Sequence, residues 1–208
     1  MKNEFWLSCW ENNAIGFHEG KPNELLIHQF HEFKKQLQGQ RLFIPLCGKA
    51  IDIQWLMSQG YTIVGVELSE IAINALFELL KITPTITQLD LFKHYSAKNI
   101  DIYVGDIFDL TAEIIGSIHG TYDRAAAVAL PHNLRTRYAE HLIQITQHSP
   151  QLLVTFDYNP ELMDGPPFSI PKKELDRLYS MHYDIHRLAS QPAKLLNIPA
   201  NETIWLLN

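Results

Sequence analysis

The chain has 208 residues, 46% hydrophobic and 19% charged, enough for a sizeable core and too apolar for a disordered polymer. Lys plus Arg number 17 against 23 Asp plus Glu, a formal net charge of −6, which argues against nucleic acid or an anionic membrane surface as partner because such binding is driven by neutralising phosphates. Two cysteines (Cys9 and Cys47) make neither a disulfide framework nor a Cys-x-x-Cys metal pair, the opening MKNEFWLSCWENN lacks an apolar signal core, and no apolar run approaches ~20 residues, so the expectation is a soluble cytoplasmic protein with a small-molecule partner.

In chain order, Leu26, Phe30, Phe33 and Leu37 step by 4, 3 and 4 and predict an amphipathic helix ahead of the first strand. Residues 41–46 (RLFIPL) read as that strand. Ile51, Trp55 and Leu56 mark a helix that Gly60 terminates. Residues 61–66 (YTIVGV) form a second strand, and Ser69 caps a helix running to about Lys81, with Ile73, Phe77 and Leu80 on one face. Residues 84–99 are polar and carry no readable pattern. Strands follow at 100–104 (IDIYV), more weakly at the Ala-rich 124–130 (RAAAVAL), and at 152–158 (LLVTFDY), with a helix over 132–147 between the last two. Asp164-Gly165-Pro166-Pro167 must be loop. A helix over 171–179 and strands at 182–189 and 203–207 end the chain, the two strands as an antiparallel hairpin. Near-continuous apolar strands alternating with helices predict an α/β fold with a doubly wound, mostly parallel sheet covered on both faces. The chain reads as one domain, 1–208. Within it 1–38 is an arm and helix, 41–158 a cofactor-binding βα core, and 159–208 a substrate-side loop with the terminal strands.

The unit over 41–67 carries the most chemical information. A buried strand enters Pro45-Leu46-Cys47-Gly48-Lys49, a helix follows, and a second strand ends in Glu67. In doubly wound sheets ligands bind beyond the carboxyl ends of the strands, and an acid there can accept both ribose hydroxyls. Glu67 lies 19 residues after Gly48, near the ~20 expected of that acid. The G-x-G-x-x-G fingerprint, which lets a pyrophosphate approach the backbone, is absent. That disfavours NAD or FAD and favours a nucleoside cofactor without a pyrophosphate, such as S-adenosyl-L-methionine. Read alone, the unit is equally an ordinary strand–turn–helix.

Gly105-Asp106-Ile107-Phe108 follows the third strong strand. Asp106 could accept an adenine amino group under cover of Ile107, although Gly-Asp after a strand is most often a turn. Arg124 in Tyr122-Asp123-Arg124 is either a surface partner of Asp123 or, facing the crevice, a bidentate holder of a carboxylate. Cys47 reads as packing rather than nucleophile. His28 and His31 share a helix face but have no third ligand, so no metal is expected. His18 is the histidine that could reach the site.

The ordered segments FW…W…IGFHEG (5–20), FIPLCGKAIDIQWL (43–56), VGVELSEIAI (64–73), GDIFDL (105–110), YDRAAAVALP (122–131) and DYNPELMDGPPFSIP (157–171) resemble the thiopurine S-methyltransferase family in its bacterial form. The resemblance implies a seven-stranded S-adenosyl-L-methionine-dependent methyltransferase fold, monomeric, with the N-terminal arm as a lid. It implies that Trp10, Leu46, Glu67 and Arg124 contact the cofactor and that Asp106 and Ile107 lie near its adenine. It sets Phe17 between cofactor and substrate, and Pro166, Pro167 and Phe168 at the edge of the substrate pocket. The stretch before the last strand is shorter than in the family, and 190–197 offers Lys194 as its one basic residue. The chemistry so implied is methyl transfer to an aromatic or heterocyclic thiol, or to a selenium or tellurium species. Arg124 is the candidate for favouring the ionised nucleophile by its charge. A non-catalytic cofactor-binding module and a nicotinamide oxidoreductase are the alternatives.

Overall fold

The computed structural model describes residues 3–208, so the first two residues of the expected arm lie outside the described residues. The order is α1 (Asn3–Glu11), α2 (Glu24–Lys34), β1 (Arg41–Ile44), α3 (Ile51–Ser58), β2 (Thr62–Glu67), α4 (Glu70–Leu80), β3 (Thr85–Gln88), β4 (Lys93–Ala97), β5 (Ile100–Val104), α5 (Ala112–Ile115), β6 (Gly120–Arg124), α6 (His132–Ile145), β7 (Gln151–Asp157), α7 (Lys172–Tyr179), β8 (Ile185–Leu195) and β9 (Ile198–Leu207). The strands make one sheet in the order β3-β4-β5-β2-β1-β6-β7-β9-β8. Its five central strands are mutually parallel, and both flanks are antiparallel.

Alternation along the central strands explains the two layers. Leu42 and Ile44 of β1, Ile63 of β2 and Ile100 and Ile102 of β5 pack with Leu26, Phe30 and Phe33 of α2, Ile53 and Leu56 of α3, and Ile73 and Phe77 of α4. The intervening Phe43, Val64, Val66 and Tyr103 face the other way, onto Tyr138 and Leu142 of α6 and Leu175 and Tyr179 of α7. A strand buried on both faces has no polar register, which is why these runs read as continuously apolar. Among the described residues no helix is long and apolar enough to cross a membrane.

Four expectations need correction. The sheet has nine strands: the seven that the resemblance implies are joined by the β3–β4 hairpin, which falls in the unassigned 84–99. β3 is exposed along its whole length and β4 buries Tyr95 alone, so there was no hydrophobic alternation to detect. Second, the Ala-rich run 124–130 is not a strand. β6 ends at Arg124, Ala125 turns left-handed at φ 66°, and a 3-10 turn covers Ala127–Ala129. The run is apolar because it is a buried loop, and alanine is a poor strand former. Third, β1 stops at Ile44: Pro45 follows, and Leu46 turns left-handed at φ 45°. Fourth, the terminal strands do not stop at 189 and resume at 203. β8 and β9 continue to a two-residue turn at Leu196-Asn197, φ 49° and 75°, a mirror-type hairpin turn, and Lys194 pairs with Pro199 within the ladder.

Candidate functional site

The chain turns back on itself at β1. β2 and β5 lie to one side of it, β6 and β7 to the other, so the carboxyl ends of β1 and β6 flank the point where strand order reverses. Both ends carry a non-glycine residue in the left-handed region, Leu46 after β1 and Ala125 after β6. Each costs roughly 1–2 kcal/mol relative to ordinary backbone, a strain that persists only where its surroundings enforce it.

Leu46 is held by its neighbours. The Cys47 N–H donates to the Val66 carbonyl at 3.0 Å, which pins the loop to β2. The Cys47 sulfur seats where a side chain on Gly65 would stand, 3.0 Å from that vacant Cβ position. Burial pushes the Cys47 thiol well above its usual range, so the group is inert scaffold. Gly48 follows at φ 49° with Trp10 directly over it: an added Cβ would meet Trp10 Cζ2 at 3.0 Å.

Glu67 ends β2 and is buried. One carboxylate oxygen accepts from Gly48 N–H at 3.0 Å and the other from Ser69 N–H at 2.9 Å, so it ties the β1 loop to the start of α4. Burial raises its pKa, and the backbone N–H groups oppose that rise. Asp106, beyond β5, accepts from Phe108 N–H at 3.0 Å through one oxygen and from the Asn3 side-chain amide at 2.9 Å through the other. Ile107 is buried, and its carbonyl lies 2.7 Å from His141 Nε2, which must carry the proton because the carbonyl can only accept.

Arg124 ends β6 with its side chain 12% exposed. It does not pair with Asp123. Asp123 points into the core, accepting from Tyr138 O–H at 2.6 Å and Ala127 N–H at 3.1 Å, with burial pushing its pKa up to about 6. Arg124 instead reaches the arm. Its guanidinium donates to the Phe17 carbonyl at 3.4 Å and forms an ion pair with Glu19. His18, between them, has its pKa lowered by burial and then by the charges of Lys49 and Arg124.

The arm therefore lies across the strand ends that carry these residues. Asn3 touches Asp106, Trp10 covers Gly48, and Phe17 and Glu19 meet Arg124. Phe17 is fixed edge-on between Trp6 (5.7 Å) and Trp10 (5.5 Å). Pro166, Pro167 and Phe168 stand on the far side of the loop after Arg124. Phe168 N–H donates to the Val128 carbonyl at 2.7 Å, Arg135 lies 5.8 Å over the Phe168 ring, and Tyr158 O–H donates to the Pro167 carbonyl at 2.6 Å. A separate cavity of about 740 Å³ opens where β7 ends against the terminal hairpin, lined by residues including Asp157, Tyr158, Pro192 and Lys194. His28 and His31 do not converge: His31 donates to the His28 carbonyl and pairs with Glu32. Asn3 and Glu19 were not among the sequence candidates. Asn3 opens α1 and Glu19 lies in the irregular segment after it, and a lone polar residue at either place shows no periodicity that could single it out.

A family model described as Thiopurine S-methyltransferase (TPMT) matches residues 1–203. The thiopurine S-methyltransferase of Teredinibacter turnerae is 44% identical, the alignment covering 100% of this chain and 98% of that protein. That of Xanthobacter autotrophicus is 42% identical, covering 100% and 99%. Among solved structures, a SAM-dependent methyltransferase from Anabaena variabilis superposes with a TM-score of 0.65 at 14% identity, covering 99% of this chain and 95% of that one. The Burkholderia thailandensis 1,6-didemethyltoxoflavin-N1-methyltransferase, solved with its substrate and S-adenosylhomocysteine, gives 0.66 at 10% identity, covering 99% and 87%. At such identities the structural likeness is one of fold.

Proposed function

The chain belongs to the thiopurine S-methyltransferase family, a family of S-adenosyl-L-methionine-dependent methyltransferases, and from that premise we propose that it methylates a small soft nucleophile: an aromatic or heterocyclic thiol such as a thiopurine, or a selenium or tellurium species. The observation that carries the reading is a row of groups across four adjacent strand ends. In sheet order β5, β2, β1, β6 these are Asp106, Glu67, the Leu46–Gly48 turn and Arg124. At about 4.8 Å per strand the row spans roughly 14 Å.

The donor set fits the cofactor from end to end. Asp106, with Ile107 beside it, would take the adenine amino group, and Glu67 the ribose hydroxyls. The Leu46 turn, with Trp10 over Gly48, would bracket the sulfur, and Arg124 would hold the methionine carboxylate. When bound, the cofactor supplies a methyl group made electrophilic by its sulfonium. The protein's part is then to orient the two reactants in line and to exclude water. Phe17, held by Trp6 and Trp10, would stand between cofactor and acceptor. Pro166, Pro167 and Phe168 would form a flat wall for the acceptor. The Arg124 cation favours the ionised acceptor. A thiolate needs no further activation, and the inert Cys47 is not called upon.

The test is a methyl-transfer screen with labelled S-adenosyl-L-methionine against aromatic thiols and inorganic selenium and tellurium species. Turnover of at least one class is expected, and Arg124→Ala should weaken both S-adenosyl-L-homocysteine binding and turnover. Unchanged kinetics in Arg124→Ala would sink that assignment. Tight cofactor binding with no turnover across the panel would point to a non-catalytic module.

A further inference from the structure

Arg124 is paired, and its partner comes from the arm. Glu19 lies in the irregular segment between α1 and α2 and reaches across to the end of β6. The pair is half-buried, with Arg124 12% and Glu19 41% exposed at the side chain, and burying the guanidinium carries a desolvation cost that the pairing must first offset. Stability alone is thus a weak reason for Glu19 to be there.

The charge around the pair is lopsided. Asp52 and Glu202, both buried, lie close enough to Glu19 to act on it, and Asp52 also feels Arg124. Among the described residues no cation lies at hydrogen-bond range of either of them. Asp52 accepts from Asn23 N–H at 2.7 Å and Tyr122 O–H at 3.1 Å. Glu202 accepts from the side-chain amides of Asn23 at 3.0 Å and Gln191 at 2.9 Å. The Arg124 guanidinium thus stands among three carboxyl groups at one end of the crevice, with the Lys49 cation near enough to act on the neighbouring His18. A guanidinium carries five N–H donors in a planar fork, so Arg124 can keep Glu19 on one edge and receive a second carboxylate on another.

A fixed cation and a fixed carboxylate side by side are the complement of an α-amino acid zwitterion. We infer that Glu19 is a cofactor-binding residue that receives the α-ammonium of S-adenosyl-L-methionine while Arg124 receives its carboxylate. This role rests on the cofactor reading above and extends it to a residue of the arm. It explains why the arm meets β6 through an ion pair, where it meets Asp106 through a neutral amide and Gly48 through an aromatic ring.

The experiment is titration calorimetry of wild type and Glu19→Gln with three ligands. These are S-adenosyl-L-homocysteine, its analogue lacking the α-amino group, and 5′-methylthioadenosine, which lacks the whole amino-acid end. Glu19→Gln should weaken S-adenosyl-L-homocysteine at least ten-fold and leave the other two unchanged. Unchanged 5′-methylthioadenosine binding also certifies that the variant is folded. Equal or tighter binding of S-adenosyl-L-homocysteine would overturn the role, making Glu19 a bystander or a competitor for Arg124. Equal weakening of all three would overturn it in favour of a general effect on the arm. If Arg124→Ala weakens S-adenosyl-L-homocysteine while Glu19→Gln does not, the role of Glu19 falls and the cofactor reading stands. Failure of folded wild type to bind S-adenosyl-L-homocysteine overturns both.

Discussion

The crevice floor and the arm that covers it are held together by different physics. On the floor, Glu67, Cys47 and Asp123 are buried, and each bonds to backbone or side-chain groups of a second element. Moving any one leaves a buried polar group unpaired, which costs about 1–3 kcal/mol, so the floor is rigid before any ligand arrives. Over residues 3–20 the arm buries a single side chain, Trp10, and otherwise relies on edge-to-face aromatic contacts and a few polar ties at the rim. Such contacts contribute roughly 0.5–1.5 kcal/mol each and can be exchanged for ligand contacts at little cost. A preorganised floor under a weakly held cover is what a site needs if its ligand must enter and leave.

The largest effect should come from the floor. Glu67→Ala strands the N–H groups of Gly48 and Ser69, and a loss of about 4 kcal/mol is expected in urea unfolding, together with loss of S-adenosyl-L-homocysteine binding. A loss below about 1 kcal/mol would mean the floor is not locked by this carboxylate.

Asp123 supplies a pH signature. Its carboxyl ionises near 3.8 in ordinary surroundings and at about 6 in the fold, because burial penalises the charge. Between those values the folded chain holds the extra proton, so stability falls as pH rises from about 4 to about 6. At about 1.4 kcal/mol per pH unit the loss totals about 3 kcal/mol and is complete by neutral pH. Urea midpoints of wild type minus Asp123→Asn across that range should trace this slope; a flat difference would refute it.

Gly48→Ala forces a side chain onto φ 49° beneath Trp10. A loss of about 1–2 kcal/mol is expected, with hydrogen exchange rising through residues 3–20 as Trp10 is displaced. The smallest global effect belongs to the arm itself. Trp10→Ala in a rigid core would cost about 3–5 kcal/mol. Here a shift under about 1 kcal/mol in global unfolding is expected, with greatly increased proteolysis before residue 20. If the full core penalty appears, arm and floor unfold as one unit and the contrast between them is lost.

The sequence by itself determined β1, β2, β5 and β7, the helices on the sheet's faces, and Leu46, Glu67 and Asp106 as residues at the carboxyl ends of strands, but it put Arg124 at the start of a strand over 124–130 where the fold has it ending β6. Apolar runs of strand length, the Ser69 cap and the helix-ending Gly60 are local signals, and the row's order along the sheet follows from the reversal of a doubly wound sheet at β1 rather than from chain order. Trp10 and Phe17 became candidates through the family resemblance, since periodicity says nothing about an arm. The tertiary structure alone decided three things. It made 125–130 a buried loop rather than a strand, because burial by neighbouring elements yields the same apolar composition as a strand interior. It placed 84–99 as an edge hairpin, because an exposed strand needs no hydrophobic pattern. And it turned Asp123 inward to Tyr138 while giving Arg124 to Glu19, because adjacent residues on a strand face opposite ways and an ion pair across the fold depends on geometry that no spacing in the chain records.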